Sequence, residues 1–465
     1  MKEGSRSIVS LIDEQPVRPR QWATVLMCGF VMFLDGFDTQ SISYMAPHIA
    51  SEWNLPRAML GPIFSAALAG LMVGYLLLSP LSDRFGHKRM VVWSTLSFAT
   101  STLFCLVASD VTTLMALRFV TGIGLGAATP SAIALTSEYS PKRWRASFVL
   151  AIYCGFSLGF VFAGLMAGWM IPAHGWRSLF WIGAAAPLIL VPFLIFFLPE
   201  AISTLTRPGA DRAVAIGQFR RLDPTFRDED LPPAQPAGPG KAVRKAPLRA
   251  IFSQNLRMGT LLLWVVFIIN LGTFYAMQSW MPTILTDLGH PTSTVVATTT
   301  IFTVGGIVAA LIVGPMMDRI SPYLALALVY GTGFLFVGAI GLLLDAGAAA
   351  LLAVSFLSGL CVSGGQKSVI ALAAVFYDAE IRSTGIGWAL GIGRVGGIGG
   401  PLIVGAGLGA GLSPGGVFFL LAIPMLVMAA AMLLLNGRYG QARGKGAARA
   451  GGKSACIKAQ PPRPR

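Results

Sequence analysis

Charge is scarce in this chain. Of its 465 residues only 12% are Asp, Glu, Lys or Arg, while 54% are hydrophobic. A soluble domain carries about 25% charged residues, so a globular enzyme is excluded and a polytopic membrane protein is expected. Histidine is scarcer still: His48, His87, His174 and His290 all fall in or near expected loops. No histidine is therefore placed within a span to carry protons. The five cysteines, Cys28, Cys105, Cys154, Cys361 and Cys456, show no CxxC spacing and no histidine partners. Neither a metal centre nor a disulfide framework is expected from them. The chain also lacks a nucleotide-binding loop and any nucleophile–histidine arrangement. It is thus read as not an enzyme, with no cofactor and no direct drive by ATP.

What is abundant is long apolar sequence. Runs of the ~20 residues needed to cross a bilayer recur near 23–45, 59–82, 90–109, 111–135, 147–171, 179–198, 257–282, 295–317, 322–344, 349–375, 384–408 and 415–436. They are continuous rather than alternating, which excludes a transmembrane barrel. Their Gly and Ala content suits close helix packing in lipid. The expected fold is an all-α membrane protein of twelve transmembrane helices.

The net charge of +15 does not point to nucleic acid, because of where the charge lies. Basic residues gather in the N-tail, in alternate short loops (Arg84, Lys88, Arg89; Lys142, Arg143, Arg145), in the central loop and in the tail after 437. The other loops hold few, Arg57 and Arg177 among them. This asymmetry predicts that both termini and the central loop are cytoplasmic. The basic tail is read as a topogenic segment touching anionic lipid.

One long polar stretch, 199–256, contains the acidic run 228–230 and the Pro-rich run 232–241 and reads largely as linker. It predicts a layout of N-tail 1–22, six-helix bundle 23–198, central loop 199–256, six-helix bundle 257–436 and basic tail 437–465. The halves echo each other. DRFGHK (83–88) follows span two and DRISPY (318–323) follows span eight; Tyr139 after span four matches Tyr377 after span ten, 238 residues on. Two parallel six-helix repeats describe a secondary transporter with a site between them at the midplane.

Ionisable residues inside spans are costly and by default functional. Asp35 and Asp38 stand mid-span in FLDGFDTQ (33–40) at i, i+3 spacing, which projects both from one side of the helix. They are the best proton carriers available, although pairing with Arg118 to hold helices together is the alternative. Lys367 and Arg394 lie in spans ten and eleven. Against the two aspartates, the three deep cations Arg118, Lys367 and Arg394 leave an excess positive charge that a carboxylate substrate would balance. Lys367 could instead reach toward the cytoplasmic face, and Arg394 could bond backbone carbonyls. Span seven offers Asn270, Phe274 and Gln278 on one face with Tyr275 beside them, suited to a flat ring with hydroxyls; ordinary packing is the alternative. Gln366 could add a hydrogen bond. Asp83, Arg84, Glu138, Arg145, Asp318 and Arg319 border cytoplasmic helix ends and are expected to form conformation-dependent gate contacts.

The chain resembles the major facilitator superfamily, and within it the aromatic acid:proton symporters. The resemblance rests on DGFD (35–38), SPLSDRFGHKR (79–89), RFVTGIGLGAATPSAIALTSEY (118–139), GPMMDR (314–319) and FYDAEIRSTGIGWALGIGRVGGIGGP (376–401). Ser79 and His87 stand where that superfamily usually has Gly and Arg. The resemblance implies two pseudo-symmetric bundles of the major facilitator fold in the inner membrane. It implies import of an aromatic carboxylate, such as a hydroxybenzoate or benzoate, with protons by alternating access, and function as a monomer. Export or exchange of another organic anion, or a non-transporting membrane sensor, are the competing readings.

Overall fold

The computed structural model describes residues 17–78, 81–82, 85–141, 144–205, 212–222, 251–253, 256–377 and 381–440. Among the described residues, twelve helices are long and apolar enough to cross a membrane. In chain order they are α1 (Pro19–Glu52), α2 (Arg57–Leu78), α3 (His87–Val107), α4 (Val111–Glu138), α5 (Arg145–His174), α6 (Arg177–Phe197), α7 (Arg257–Asp287), α8 (Thr292–Arg319), α9 (Pro322–Leu342), α10 (Ala348–Phe376), α11 (Arg382–Gly409) and α12 (Pro414–Leu435). Several outrun the apolar stretches read from sequence. At a rise of ~1.5 Å per residue, α1 is longer than a bilayer core is thick, so its ends continue beyond the hydrocarbon.

The helices form two bundles that repeat one pattern. In the first, α1 packs on α5, α2 on α4, and α3 on both α4 and α6; in the second, α7 packs on α11, α8 on α10, and α9 on both α10 and α12. The matched tyrosines mark the repeat. Tyr139 follows the last residue of α4 and Tyr377 the last residue of α10, and both are buried. Close approach depends on absent side chains. A Cβ at Gly159 of α5 would meet the Phe33 carbonyl of α1 at 2.1 Å, and one at Gly400 of α11 would meet the Gly272 carbonyl of α7 at 2.1 Å. Where lipid supplies no hydrophobic drive between helices, such backbone contact holds the pairs together.

Successive helices run in opposite directions, so the start of α1, the end of α6, the start of α7 and the end of α12 share one side, termed here the near side. Part of the stretch read as linker is ordered: Arg212–Leu222 is a helix whose Ala215 and Phe219, spaced i, i+4, are buried with Leu205. The halves meet along α1–α7, α2–α11 and α5–α8. Among the described residues, the hydrogen bonds and ion pair that cross this boundary gather toward the far side. Arg57 pairs with Asp287, Ser65 Oγ donates to the Ile398 carbonyl at 2.8 Å, and Gln40 Nε2 donates to the Gln278 carbonyl at 3.3 Å. Phe64 meets Trp280 edge-on at 5.3 Å. The far side is therefore sealed.

Candidate functional site

A cavity of about 90 Å³ lies on the boundary between the bundles. It gathers Asp35 from α1 with Phe274 and Tyr275 from α7, Gln366 and Lys367 from α10, and Arg394 from α11. The sequence assigned all six to substrate or proton. Five polar lining residues carry no such assignment: Tyr75 on α2, Thr129 on α4, Tyr153 and Ser157 on α5, and Thr303 on α8. In sequence, such residues look like ordinary packing within a span. The available signal was a phenol or hydroxyl interrupting an aliphatic run.

The two aspartates part company. Asp38 does not line this cavity; it is held inside the first bundle. Arg118 Nη1 donates to both Asp38 carboxylate oxygens at 2.9 Å, Nη2 donates to the Asp38 carbonyl at 3.3 Å, and Thr102 Oγ1 donates to Oδ1 at 3.2 Å. Arg118 is fully buried, so the α4 cation expected to meet substrate is instead bound to Asp38. Asp35 faces the boundary. Thr129 Oγ1 donates to its Oδ2 at 2.8 Å and Thr39 Oγ1 to its Oδ1 at 3.4 Å, while Arg394 attracts it electrostatically across the cavity. The i, i+3 spacing separates the two side chains by about 60° around the helix axis. That angle is enough to send one into the bundle and the other to its edge.

The cavity's two cations sit on neutral groups. Arg394 Nη1 donates to Tyr275 Oη at 3.0 Å, and its guanidinium carbon lies 5.0 Å from the centre of the Tyr75 ring. Arg394 thus rests on phenols from both bundles rather than on backbone carbonyls. Lys367 Nζ donates to the Gly306 carbonyl of α8 at 3.0 Å, which uses one of its three donors. With Asp38 and Arg118 cancelling each other, the cavity wall holds two cations and one carboxylate. Aromatic rings complete it: Phe160 of α5 and Phe274 of α7 are nearly parallel, 6.2 Å apart, across the boundary.

Other expected site residues lie elsewhere. Asn270 ties α7 to α10 by donating to the Val362 carbonyl at 3.4 Å. Gln278 donates to Thr303 Oγ1 at 3.2 Å, in the boundary between the cavity and the far side. Of the gate candidates, Glu138 accepts a hydrogen bond from the Ser203 amide at 3.2 Å, Arg145 begins α5, and Arg319 is exposed at the end of α8. Asp318 lies in the last turn of α8. Asp83 and Arg84 fall outside the described residues.

Two pseudo-symmetric six-helix bundles with a charged, aromatic cavity on their boundary define a multi-pass membrane carrier rather than an enzyme. Comparison with known proteins sharpens this. Residues 28–352 and 299–461 match the Major Facilitator Superfamily, and the chain belongs to that superfamily. The gallate transporter of Pseudomonas putida is 35% identical, with 92% of this chain and 94% of that protein covered. The 4-hydroxybenzoate transporter PcaK of Pseudomonas aeruginosa is 37% identical, with 92% and 95% covered. Solved structures share the fold at low identity. A bacterial homologue of the human lysosomal transporter Spinster, inward-facing and unoccupied, has a TM-score of 0.70 at 15% identity over 92% of this chain and 99% of that one. A D-xylose–proton symporter has a TM-score of 0.66 at 16% identity over 88% of this chain and 97% of that one.

Proposed function

We propose that this transporter imports an aromatic carboxylate, such as a hydroxybenzoate or benzoate, together with protons across the inner membrane. The observation that carries the proposal is the charge balance of the boundary cavity. Arg394 and Lys367 face one carboxylate, Asp35, among Phe160, Phe274, Tyr75, Tyr153 and Tyr275. In a low-dielectric site this residual positive charge favours one anionic guest, and the rings favour a flat one. Arg394 can hold a carboxylate through two parallel hydrogen bonds, and Lys367 as a point charge. The relatives named for gallate and 4-hydroxybenzoate agree with this substrate class.

Asp35 is the proton carrier in this reading. Protonated, it leaves both cations to the substrate; ionised, it competes for Arg394. Asp38 supports coupling through its bond to Arg118. The sealed far side corresponds to a carrier closed toward the outside if the near side is cytoplasmic, as the distribution of Lys and Arg indicates. Glu138, Arg145, Asp318 and Arg319, with Asp83 and Arg84, would then close the near side in the opposite state. The protein works as a monomer, since one chain supplies both bundles and the cavity.

The test is uptake into proteoliposomes with an imposed acid-outside gradient, screened over benzoates, hydroxybenzoates and phenylpropionates. The parent should accumulate one of these acids, and an uncoupler should abolish accumulation. Asp35→Asn should lose accumulation but keep exchange of labelled for unlabelled acid. Accumulation by Asp35→Asn that remains uncoupler-sensitive would refute the proton assignment. Binding without any accumulation by the parent would favour a sensor instead.

A further inference from the structure

Between the cavity and the far side, the boundary is lined by neutral hydrogen-bonding groups, three of which hold buried polar atoms that are poorly satisfied. Gln40 and Tyr44 come from α1, Gln278 from α7, and Thr299, Thr300 and Thr303 from α8. Tyr44 Oη, Thr300 Oγ1 and Gln278 Oε1 are buried without a well-formed hydrogen bond. Tyr44 Oη lies beside Thr299, Thr300 and Gln40. Opposite them, α5 presents Gly164. A Cβ there would stand 2.7 Å from Tyr44 Oη and 2.9 Å from Thr300 Oγ1, so α5 presses its bare backbone against both hydroxyls. The set continues from the cavity: Thr303 lines the cavity and bonds Gln278, whose carbonyl accepts from Gln40.

Each buried polar atom without a partner costs about 1–3 kcal/mol, and native interiors hold few of them. Several along one boundary between moving bundles make sense if another state of the carrier supplies their partners. When the halves part on the far side, the α7–α8 face separates from the α1–α5 face. The poorly satisfied hydroxyls and amide oxygen then meet whatever enters. Their chemistry is specific: neutral donors and acceptors, with none of the cavity's charged side chains among them. Such a site matches a ring hydroxyl and offers little to a carboxylate. Tyr44 is nine residues beyond Asp35 on α1, ~13 Å along the helix. The site is therefore a separate stop, ahead of the cavity.

Resting on the proposed import of aromatic acids, we propose that Gln40, Tyr44, Gln278 and Thr300 form a far-side subsite for the hydroxyl groups of a hydroxylated aromatic acid, occupied before the substrate reaches the central cavity. The subsite selects for ring hydroxyls during loading from the far side and is closed over during release.

The experiment uses the full chain in oriented proteoliposomes and compares a hydroxybenzoate with benzoate. The Tyr44→Phe/Thr300→Val variant keeps shape and removes two hydroxyls. It should raise the far-side KM for the hydroxybenzoate about five- to tenfold. The far-side KM for benzoate, and exchange of either acid from the near side, should stay within twofold. Equal losses for both acids, or equal losses from both faces, would overturn the subsite. A second readout needs no transport. Val296→Cys places a thiol on α8 facing Gly168 of α5 across the same boundary. A membrane-impermeant maleimide should label it from the far side, and the hydroxybenzoate should slow labelling more than benzoate does, even with Arg394→Gln weakening the cavity. Labelling that no hydroxylated acid slows would overturn the subsite. Protection by the hydroxybenzoate without accumulation by the parent would keep the subsite and refute import.

Discussion

The two bundles treat buried charge differently. In the first, Arg118 meets Asp38 through two 2.9 Å bonds, and both groups are removed from the cavity. In the second, Arg394 rests on Tyr275 and Tyr75, and Lys367 on a backbone carbonyl. The register that matches Tyr139 with Tyr377 also matches Thr129 with Lys367. Thus one repeat position carries a hydroxyl bonded to Asp35 in the first bundle and an ammonium in the second. The fold is duplicated, but the charge is not. One bundle closes its ion pair within itself, and the other leaves two cations on neutral partners in the wall of the boundary cavity.

The largest expected effect comes from breaking the internal pair. Arg118→Ala leaves Asp38 buried without its cation, which typically costs ~3–5 kcal/mol. The variant should unfold at markedly lower temperature in detergent, or fail to insert. Replacing both partners, Arg118→Met with Asp38→Leu, should recover most of the stability, because the uncompensated charge is gone. A well-folded Arg118→Ala carrier that loses only substrate affinity would reverse the assignment and return Arg118 to the binding site.

Arg394→Ala should come next. Removing a cation that holds a carboxylate costs ~2 kcal/mol or more, so affinity for the aromatic acid should drop by about thirtyfold. The neutral amide analogue, weak in the parent, should lose little further. Equal losses for acid and amide, measured by equilibrium binding, would make Arg394 a structural residue held by its two phenols.

Lys367→Ala should cost less, about tenfold in acid affinity, since an ammonium cannot form the paired bonds of a guanidinium. Lys367→Arg tests the same point. If it restores or exceeds parent affinity, charge is what matters there; if it behaves like Ala, the bond to the Gly306 carbonyl is positioning α8.

The smallest effect belongs to the far-side pair of Arg57 and Asp287, which is partly exposed. Such pairs contribute ~0.2–1 kcal/mol and weaken with salt. Arg57→Gln should shift the carrier only slightly toward far-side opening, read as faster labelling of a thiol at position 296, and high salt should erase the difference. A large shift would mean that this one contact, rather than the packed boundary of Phe64, Trp280 and Ser65, holds the far side closed.

Much of the fold and of the site is legible in the chain's residues alone. The twelve apolar runs, the repeat matched at Tyr139 and Tyr377, and the six cavity-lining residues Asp35, Phe274, Tyr275, Gln366, Lys367 and Arg394 follow from residue type and spacing. Charged groups in lipid are too costly to be incidental, so they advertise themselves. Tyr75, Tyr153 and Ser157 do not, because a phenol or hydroxyl within a span is cheap and has many uses. Asn270 and Gln278 share a helix face with Phe274, yet Asn270 serves a helix contact and Gln278 the far-side boundary. A face eight residues long spans ~12 Å, more than one small cavity.

By itself, then, the sequence determined that this chain spans a membrane twelve times in two repeats and carries costly charges near its middle. Composition and periodicity suffice for that, since the bilayer imposes length and polarity on every span alike. Only the tertiary structure decided which aspartate is sealed with Arg118 and which faces the cavity. It also decided that Arg394 rests on phenols from both bundles, and that hydroxyls from α1 and α8 stand poorly satisfied against the bare backbone of α5. These depend on which helices touch and at what rotation about their axes, and a difference of about 60° leaves no trace in a one-dimensional pattern.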